Sequence, residues 1–126
     1  MDKSRILVVD DESLIQYALG HALRSDGFEV NTVGSAEEAL SELQSERYEL
    51  CFLDRGLPGL DGLQALQHVK AAWPGIKVIF MTGGRLTADE EKLIEQWADQ
   101  FIEKPFDLQK IKTMVEEMIR EKGLGT

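Results

Sequence analysis

Three carboxylates follow two short apolar runs in this chain of 126 residues. Asp10 and Asp11 come directly after the run 6–9, and Asp54 comes directly after the run 50–53. If these runs are buried strands that end at the same edge of a sheet, the like charges must take up protons or share a cation. A cluster of carboxylate oxygens suits a hard ion such as Mg2+. The pattern therefore predicts a metal site at this edge.

A hydroxyl group and an ammonium group follow two later apolar runs. The run 78–81 leads into Thr82, and the run 101–102 leads through Glu103 into Lys104. If all of these strands are parallel, their carboxyl ends share the crevice where open α/β sheets bind ligands. A metal ion, a carboxylate, a hydroxyl donor and a cation together form a set that fits a phosphoryl group.

The elements that position these residues alternate along the chain. Each apolar run is followed by apolar positions at helical spacing, and Asp26 with Gly27 supplies a stop for the first helix. Four helix starts carry capping residues, namely Ser35 with Glu38, Asp61 with Gln64, Thr87 with Glu90, and Asp107. Five successive strand–helix units predict an α/β fold with helices on both faces of a parallel sheet, because each parallel connection requires a crossover.

Composition narrows the class of protein. The length suits one domain, and the content of 43% hydrophobic and 29% charged residues is ordinary for a soluble globular protein. No apolar stretch approaches the roughly 20 residues of a membrane span, and the start of the chain lacks a secretory signal. The single cysteine, Cys51, has no partner for an internal disulfide. A net charge of -9 opposes direct binding to nucleic acid or anionic membranes. We therefore expect a cytoplasmic protein.

Several ordered landmarks resemble the receiver domain of two-component response regulators, and the likeness runs nearly from end to end. They are VVDDE at 8–12, LD at 53–54, LPGLDG at 57–62, MTG at 81–83 and KPF at 104–106. Each motif is weak evidence alone, but together they are highly specific. The resemblance implies a flavodoxin-like, doubly wound sheet of five parallel strands in the order 2-1-3-4-5 with five helices. It implies a receiver domain at 1–122, with 123–126 as a flexible tail or the start of a linker.

The resemblance also implies a role for each acid. Asp54 would be the phosphoacceptor, which takes a phosphoryl group from a sensor histidine kinase or a phosphotransfer protein and becomes an aspartyl phosphate. Mg2+ would be the cofactor. The resemblance places Asp11 in direct contact with the ion and Asp10 nearby, partly through water, while Asp54 and the main-chain carbonyl of Gly56 complete the protein ligands. We interpret Glu12 instead as a cap of the first helix or a ligand of water.

Further residues are similar to those that act on the phosphoryl group in this family. Lys104 would pair with it, and Thr82 would donate a hydrogen bond to it. Phosphorylation adds about two negative charges, and the family couples this change to inward movement of the threonine and of an aromatic residue on the last strand, here Phe101. A static core phenylalanine is the alternative. The resemblance also suggests a cis peptide between Lys104 and Pro105.

The implied switching surface comprises the fourth helix, the fifth strand and the fifth helix. It would act on a downstream effector domain or protein, and a phosphorylation-dependent homodimer would use the same surface. Some positions depart from the family pattern at this surface: Gly83 and Gly84 form a mobile loop, Trp97 replaces a frequent glycine, and Glu103 adds a charge. We expect Arg55 to point to the opposite side of its strand end from Asp54 or toward solvent, where it would influence the approach of a phosphoryl donor.

The leading hypothesis is a signalling switch that turns over no metabolite. Two other classes of protein are alternatives to it. A phosphate-independent interaction module could keep this fold, but it would not need the full set of acceptor, acids, hydroxyl and lysine. A metal-dependent phosphatase could use Asp54 as its nucleophile, but Gly56 stands where such an enzyme would need an acid for proton transfer. Fold resemblance alone does not separate these classes.

Overall fold

The computed structural model describes residues 4–124, with side chains described through residue 121. Five strands and five helices alternate along this part of the chain. The strands are β1 (Arg5–Val9), β2 (Glu29–Val33), β3 (Leu50–Asp54), β4 (Lys77–Thr82) and β5 (Gln100–Glu103). The helices are α1 (Ser13–Ser25), α2 (Ala36–Ser45), α3 (Gly62–Ala72), α4 (Ala88–Trp97) and α5 (Leu108–Leu124).

All strand pairs are parallel, and the strand order is β2-β1-β3-β4-β5. The predicted doubly wound fold is therefore confirmed. The register brings the strand ends level, since Val9 pairs with Leu53, Asp54 pairs with Met81, and Thr82 pairs with Glu103. The residues that end or follow these strands consequently meet at one edge of the sheet.

The sheet is covered on both faces, and β3 is buried at every position, as expected for a parallel sheet between helices. One core cluster joins Leu7, Cys51 and Phe80 to α2, α3 and α4. The other joins Phe52 and Ile79 to α1 and α5. Burial also raises the pKa of the Cys51 thiol to about 12, so this residue stays a neutral core side chain.

Most of the predicted helix ends are confirmed. Thr87 and Glu90 form a reciprocal capping box at α4, and Asp107 Oδ1 accepts the N–H of Gln109 at 2.8 Å. The hydroxyl of Ser35 accepts the N–H of Glu38 at 3.1 Å at the start of α2. Gly27, at a φ of 93°, follows α1 in the left-handed conformation that glycine tolerates.

Asp61 occupies the N-cap position of α3 as predicted, but its side chain makes no capping hydrogen bond. The main chain anchors this helix instead, since the Gly62 N–H donates to the Arg55 carbonyl at 3.3 Å. A Cβ at Gly62 would lie 2.5 Å from the Cα of Arg55. The helix start thus packs directly on the chain after β3, and only glycine fits there.

The helix α5 continues to Leu124, and the last two residues of the predicted tail lie outside the described residues. The domain boundary therefore stays a prediction. Among residues 4–124, no helix has the length and apolar character needed to cross a membrane.

Candidate functional site

The three predicted acids meet at the carboxyl end of the sheet. Asp10 and Asp11 follow β1, Asp54 ends β3, and one oxygen from each carboxylate lies within 4.8 Å of the others. Asp10 is fully buried and Asp54 is 5% exposed, whereas Asp11 is exposed. Three carboxylate oxygens at this separation can ligate one hard cation such as Mg2+.

Lys104 lies among these acids. Its Nζ is 2.7 Å from Asp10 Oδ2, 3.1 Å from Glu12 Oε1 and 3.2 Å from Asp54 Oδ1. The ammonium group thus bridges the acids after β1 to the acid that ends β3, and it offsets part of their mutual repulsion. Glu12 was interpreted as a cap of α1 or a ligand of water. Glu12 does occupy the N-cap position of α1, but its side chain makes no capping bond and accepts from Lys104 instead.

The pKa shifts of the site follow from this crowding. Burial, and then the charge of Asp10, raises the pKa of Asp54, while Lys104 and the main chain of Gly56 oppose the rise. For Lys104, burial lowers the pKa, but hydrogen bonds to Asp10 and Glu12 and the nearby acidic charges outweigh burial, so its pKa is raised. The Lys104 ammonium therefore stays charged. The acids around it still leave an excess of negative charge, which a bound cation would neutralise.

Thr82 ends β4 next to Lys104, whose N–H donates to the Thr82 carbonyl at 2.7 Å. The Thr82 side chain is 1% exposed, and its Oγ1 has no hydrogen-bond partner within the described residues. Such a group is uncommon in proteins and costs free energy. Among the described residues, this hydroxyl therefore has a hydrogen bond left to donate.

A cavity of about 370 Å3 opens over the acid cluster. Its lining residues are Asp11, Glu12, Asp54, Arg55, Gly56, Gly83, Gly84 and Lys104. A Cβ on Gly56 would lie 3.6 Å from Asp54 Oδ2, so the main chain of Gly56 runs beside that carboxylate. The structure therefore brings Gly56 and the predicted acids, together with the lysine, to one small site.

Phe101 lies apart from the acid cluster. It is 38% exposed on β5 and is therefore not a core residue. It lines a larger cavity of about 830 Å3 between α4 and β5, to which Thr82 and Lys104 also contribute. This cavity therefore borders Phe101 together with two residues at the strand ends. The Lys104–Pro105 peptide bond is cis, as predicted.

Gln16 on α1 is a residue that sequence reasoning missed. Its Nε2 donates to the Asp10 carbonyl at 2.6 Å and to the Val33 carbonyl at 3.3 Å. The Asp10 side chain is held as well, because its Oδ1 accepts the N–H of Glu12 at 2.8 Å. Gln16 thus ties the ends of β1 and β2 together behind the acids. A glutamine at a half-buried helix position carries no sequence signal of such a role.

Arg55 also makes contacts that the sequence did not suggest. Its guanidinium forms an ion pair with Glu90 on α4 and donates to the Arg85 carbonyl at 3.4 Å. Neither predicted direction, the opposite side of the strand end or solvent, is correct, because Arg55 pairs with Glu90 and lines the cavity over Asp54. The side chain joins the end of β3 to the start of α4.

Comparison with known proteins identifies a matching family. The sequence model of the response regulator receiver domain family matches residues 6–116. The DNA-binding response regulator MtrA of Mycolicibacterium paratuberculosis is 31% identical over 118 residues, which are 94% of this chain and 52% of that protein. The transcriptional regulatory protein TctD of Salmonella typhimurium strain LT2 is 31% identical over 116 residues, 92% of this chain and 52% of that protein. The chain spans about half the length of these relatives.

Solved structures share the fold. A CheY-like response regulator receiver domain protein from Methanospirillum hungatei JF-1 has a TM-score of 0.93 and 27% identity, covering 99% of this chain and 100% of that one. The NtrX protein of Brucella abortus has a TM-score of 0.87 and 32% identity, covering 98% of this chain and 28% of that one. The likeness thus extends over nearly all of this chain.

Proposed function

Because this chain belongs to the response regulator receiver domain family, we propose that it is a phosphorylation-driven signalling switch in which Asp54 is the phosphoacceptor. One observation carries this proposal. A nearly buried carboxylate, an ammonium nitrogen 3.2 Å from it and a buried hydroxyl that has no partner among the described residues lie at one sheet edge. An aspartyl phosphate would use all three groups.

In the proposed reaction, a carboxylate oxygen of Asp54 attacks the phosphorus of a phosphohistidine on a sensor histidine kinase or a phosphotransfer protein. A phosphorus–oxygen bond forms, the phosphorus–nitrogen bond breaks, and the imidazole leaves with the electron pair. A carboxylate is a modest nucleophile, so catalysis rests on alignment and on neutralisation of charge. Lys104 supplies positive charge beside the acceptor, and the hydroxyl of Thr82 donates to a phosphoryl oxygen.

Mg2+ is the cofactor that this donor set suits, since all of the donors are oxygens. Its proposed ligands are Asp10, Asp11, Asp54 and the main-chain carbonyl of Gly56. When bound, the ion supplies positive charge to the phosphoryl oxygens and to the crowded acids. Gln16 holds the backbone that carries Asp10, and Lys104, which contacts Asp10 and Asp54, would share these acids with a bound ion.

Phosphorylation would be communicated through Thr82 and Phe101. About two added negative charges would draw the unpaired hydroxyl of Thr82 toward the phosphoryl group. Phe101 lies half exposed over a cavity that Thr82 also lines, so it has room to move inward when Thr82 shifts. The surface formed by α4, β5 and α5 would then differ between the two states.

The proposed downstream partner is an attached effector domain or a separate effector protein, which reads the surface of α4, β5 and α5. A phosphorylation-dependent homodimer through the same surface is part of the proposal. The relatives named above are DNA-binding or transcriptional regulators of about twice this length. With a net charge of -9, this segment itself is unsuited to contact nucleic acid or an anionic membrane. The proposed location is the cytoplasm.

The competing proposal is a phosphate-independent interaction module. Such a module would gain nothing from the buried, unpaired hydroxyl of Thr82, which lowers stability. It would likewise have no use for a crowded acid cluster that needs a cation. We therefore favour the phosphoacceptor.

The deciding experiment is phosphorylation by acetyl phosphate or phosphoramidate in the presence of Mg2+, followed by intact-mass measurement. We expect one phosphate adduct in the unmodified protein and none in Asp54→Asn or in the metal-free control. A folded protein that binds Mg2+ but gains no adduct from these donors or from a panel of histidine kinases would support the interaction module.

A further inference from the structure

Arg55 connects the acceptor strand to the start of α4. Its guanidinium pairs with the Glu90 carboxylate, and its second nitrogen donates to the Arg85 carbonyl at 3.4 Å. The two paired side chains are only 31% and 20% exposed, so solvent screens this ion pair less than one at the open surface. Arg55 directly follows the proposed acceptor and lines the cavity over it.

Glu90 joins this ion pair to the backbone of the helix. Its Oε1 accepts the N–H of Thr87 at 2.8 Å, and its own N–H donates to Thr87 Oγ1 at 3.1 Å. Its Oε2 faces Arg55. The N–H of Thr87, and then the charge of Arg55, lower the pKa of Glu90 against the effect of burial, so this carboxylate stays ionised. Arg55 therefore holds the first turn of α4, and not merely one side chain.

The connection between β4 and α4 has few other restraints. A Cβ on Gly84 would meet nothing within 4 Å, and one on Gly83 would meet only the Lys104 side chain, at 3.9 Å and beyond. Leu86 packs at the margin of the core. Within the described residues, the bond from Arg55 to the Arg85 carbonyl is the polar contact that ties residues 83–86 to the strand edge. Gly83 and Gly84 also form a wall of the acceptor cavity.

We propose that Arg55 is a positioning residue that clamps the β4–α4 connection against the end of β3 and so sets the lifetime of the aspartyl phosphate. This inference rests on the proposed role of Asp54. Hydrolysis joins a water oxygen to phosphorus and breaks the bond from phosphorus to the Asp54 oxygen. It releases the carboxylate and inorganic phosphate, and solvent accepts the proton. The clamped glycine wall limits the approach of that water.

The test uses Arg55→Gln, Glu90→Gln and the double variant. Glutamine at position 90 keeps an oxygen that can accept the Thr87 N–H, so the capping box survives while the ion pair is lost. Glu91→Gln is the matched control, because Glu91 is exposed in the same first turn and the charge change is identical. The two single variants also separate clamping from a direct effect of charge, because Glu90→Gln leaves the Arg55 charge in place.

Two measurements are made on each protein. The rate of amide hydrogen exchange at residues 83–90 is measured in the unphosphorylated protein. The rate at which the phosphate adduct is lost is measured by mass after acetyl phosphate is removed at constant Mg2+. We expect both rates to rise about twofold to fivefold in each single variant, as the loss of one partly exposed ion pair implies. The double variant should match Arg55→Gln, because that substitution already removes both the ion pair with Glu90 and the bond to the Arg85 carbonyl. Arg55→Lys should restore most of the adduct lifetime.

Each other outcome overturns the inference in a different way. Unchanged exchange in both single variants would show that Arg55 holds nothing. Faster exchange with an unchanged adduct lifetime would leave a structural contact without a role in the reaction. Opposite effects of Arg55→Gln and Glu90→Gln on the adduct lifetime would indicate that the side-chain charges act directly on hydrolysis and not through the clamp. If the unmodified protein takes no phosphate, the proposed function fails, and exchange still decides whether the clamp exists.

Discussion

Lys104 Nζ donates to Asp10 Oδ2 at 2.7 Å, although the two residues are 94 positions apart in the chain. Asp10 is fully buried, and the Lys104 side chain is 14% exposed. The ammonium is therefore a nearby countercharge for an acid that water does not reach. A cation bound to Asp10 would take over part of that role.

This relationship predicts the behaviour of Lys104→Met. Loss of one partner from a buried ion pair should lower the free energy of unfolding by about 3 kcal/mol. Mg2+ should then stabilise the variant more than the unmodified protein, because the acids lack their other countercharge. Thermal unfolding with and without Mg2+ measures both effects. Lys92→Met, at an exposed position of α4, is the control, and an equal Mg2+ effect in all three proteins would contradict the prediction.

The unpaired hydroxyl predicts that Thr82→Val separates stability from switching. Valine replaces a buried hydroxyl that lacks a partner in the part of the chain that the structure describes, so the free energy of unfolding in urea should stay equal or rise by about 1 kcal/mol. The NMR changes that phosphorylation produces in α4 and β5 should shrink, because the hydroxyl that follows the phosphoryl group is gone. A loss of more than about 1 kcal/mol would mean that the hydroxyl is already bonded before phosphorylation.

Gln16→Met should weaken Mg2+ binding although position 16 contributes no proposed ligand. The amide that holds the Asp10 and Val33 carbonyls would be lost, and the acids of the loop after β1 would be less well placed. Loss of such a supporting contact typically costs about tenfold in metal affinity. Titration calorimetry with Mg2+ measures the change, with Gln64→Met, exposed on α3, as the control. Equal affinities would remove Gln16 from the site.

Tyr48 predicts a pH dependence at the opposite end of the sheet. It is 7% exposed, donates to Glu42 Oε1 at 2.7 Å and accepts from Asn31 Nδ2 at 2.6 Å. Burial above all raises its pKa to about 12 in the folded protein, against about 10 when unfolded. At a pH between these two pKa values, Tyr48 has lost its proton in the unfolded chain but keeps it in the folded protein. The free energy of unfolding therefore falls as pH rises through this range.

We therefore expect Tyr48→Phe to be about 1 kcal/mol less stable than the unmodified protein at pH 8, through lost hydrogen bonds. That difference should close as pH rises above about 10. The buried Cys51 also titrates late, but it is present in both proteins and cancels in the comparison. Urea unfolding at a series of pH values tests the prediction, and a difference that stays constant to pH 11.5 would contradict it.

Several features could be predicted from the sequence because they depend on residues that are close together in the chain. The capping box of Thr87 and Glu90 lies within one helical turn, and the acids stand directly after apolar strands. Asp61 shows the limit of prediction from local sequence. It precedes α3 as predicted, but the close packing of Gly62 on Arg55 determines how that helix begins.

The alternation of strands and helices and the residues at the strand ends could be predicted from the chain alone, because side-chain periodicity and turn residues act over a few positions. Which side chains meet could not be predicted in this way. Glu12 binds Lys104, Gln16 holds the Asp10 carbonyl, and Arg55 reaches Glu90. The physical reason is that sheet order and helix packing place distant segments together. The reach of a long polar side chain then depends on distances that no local pattern contains.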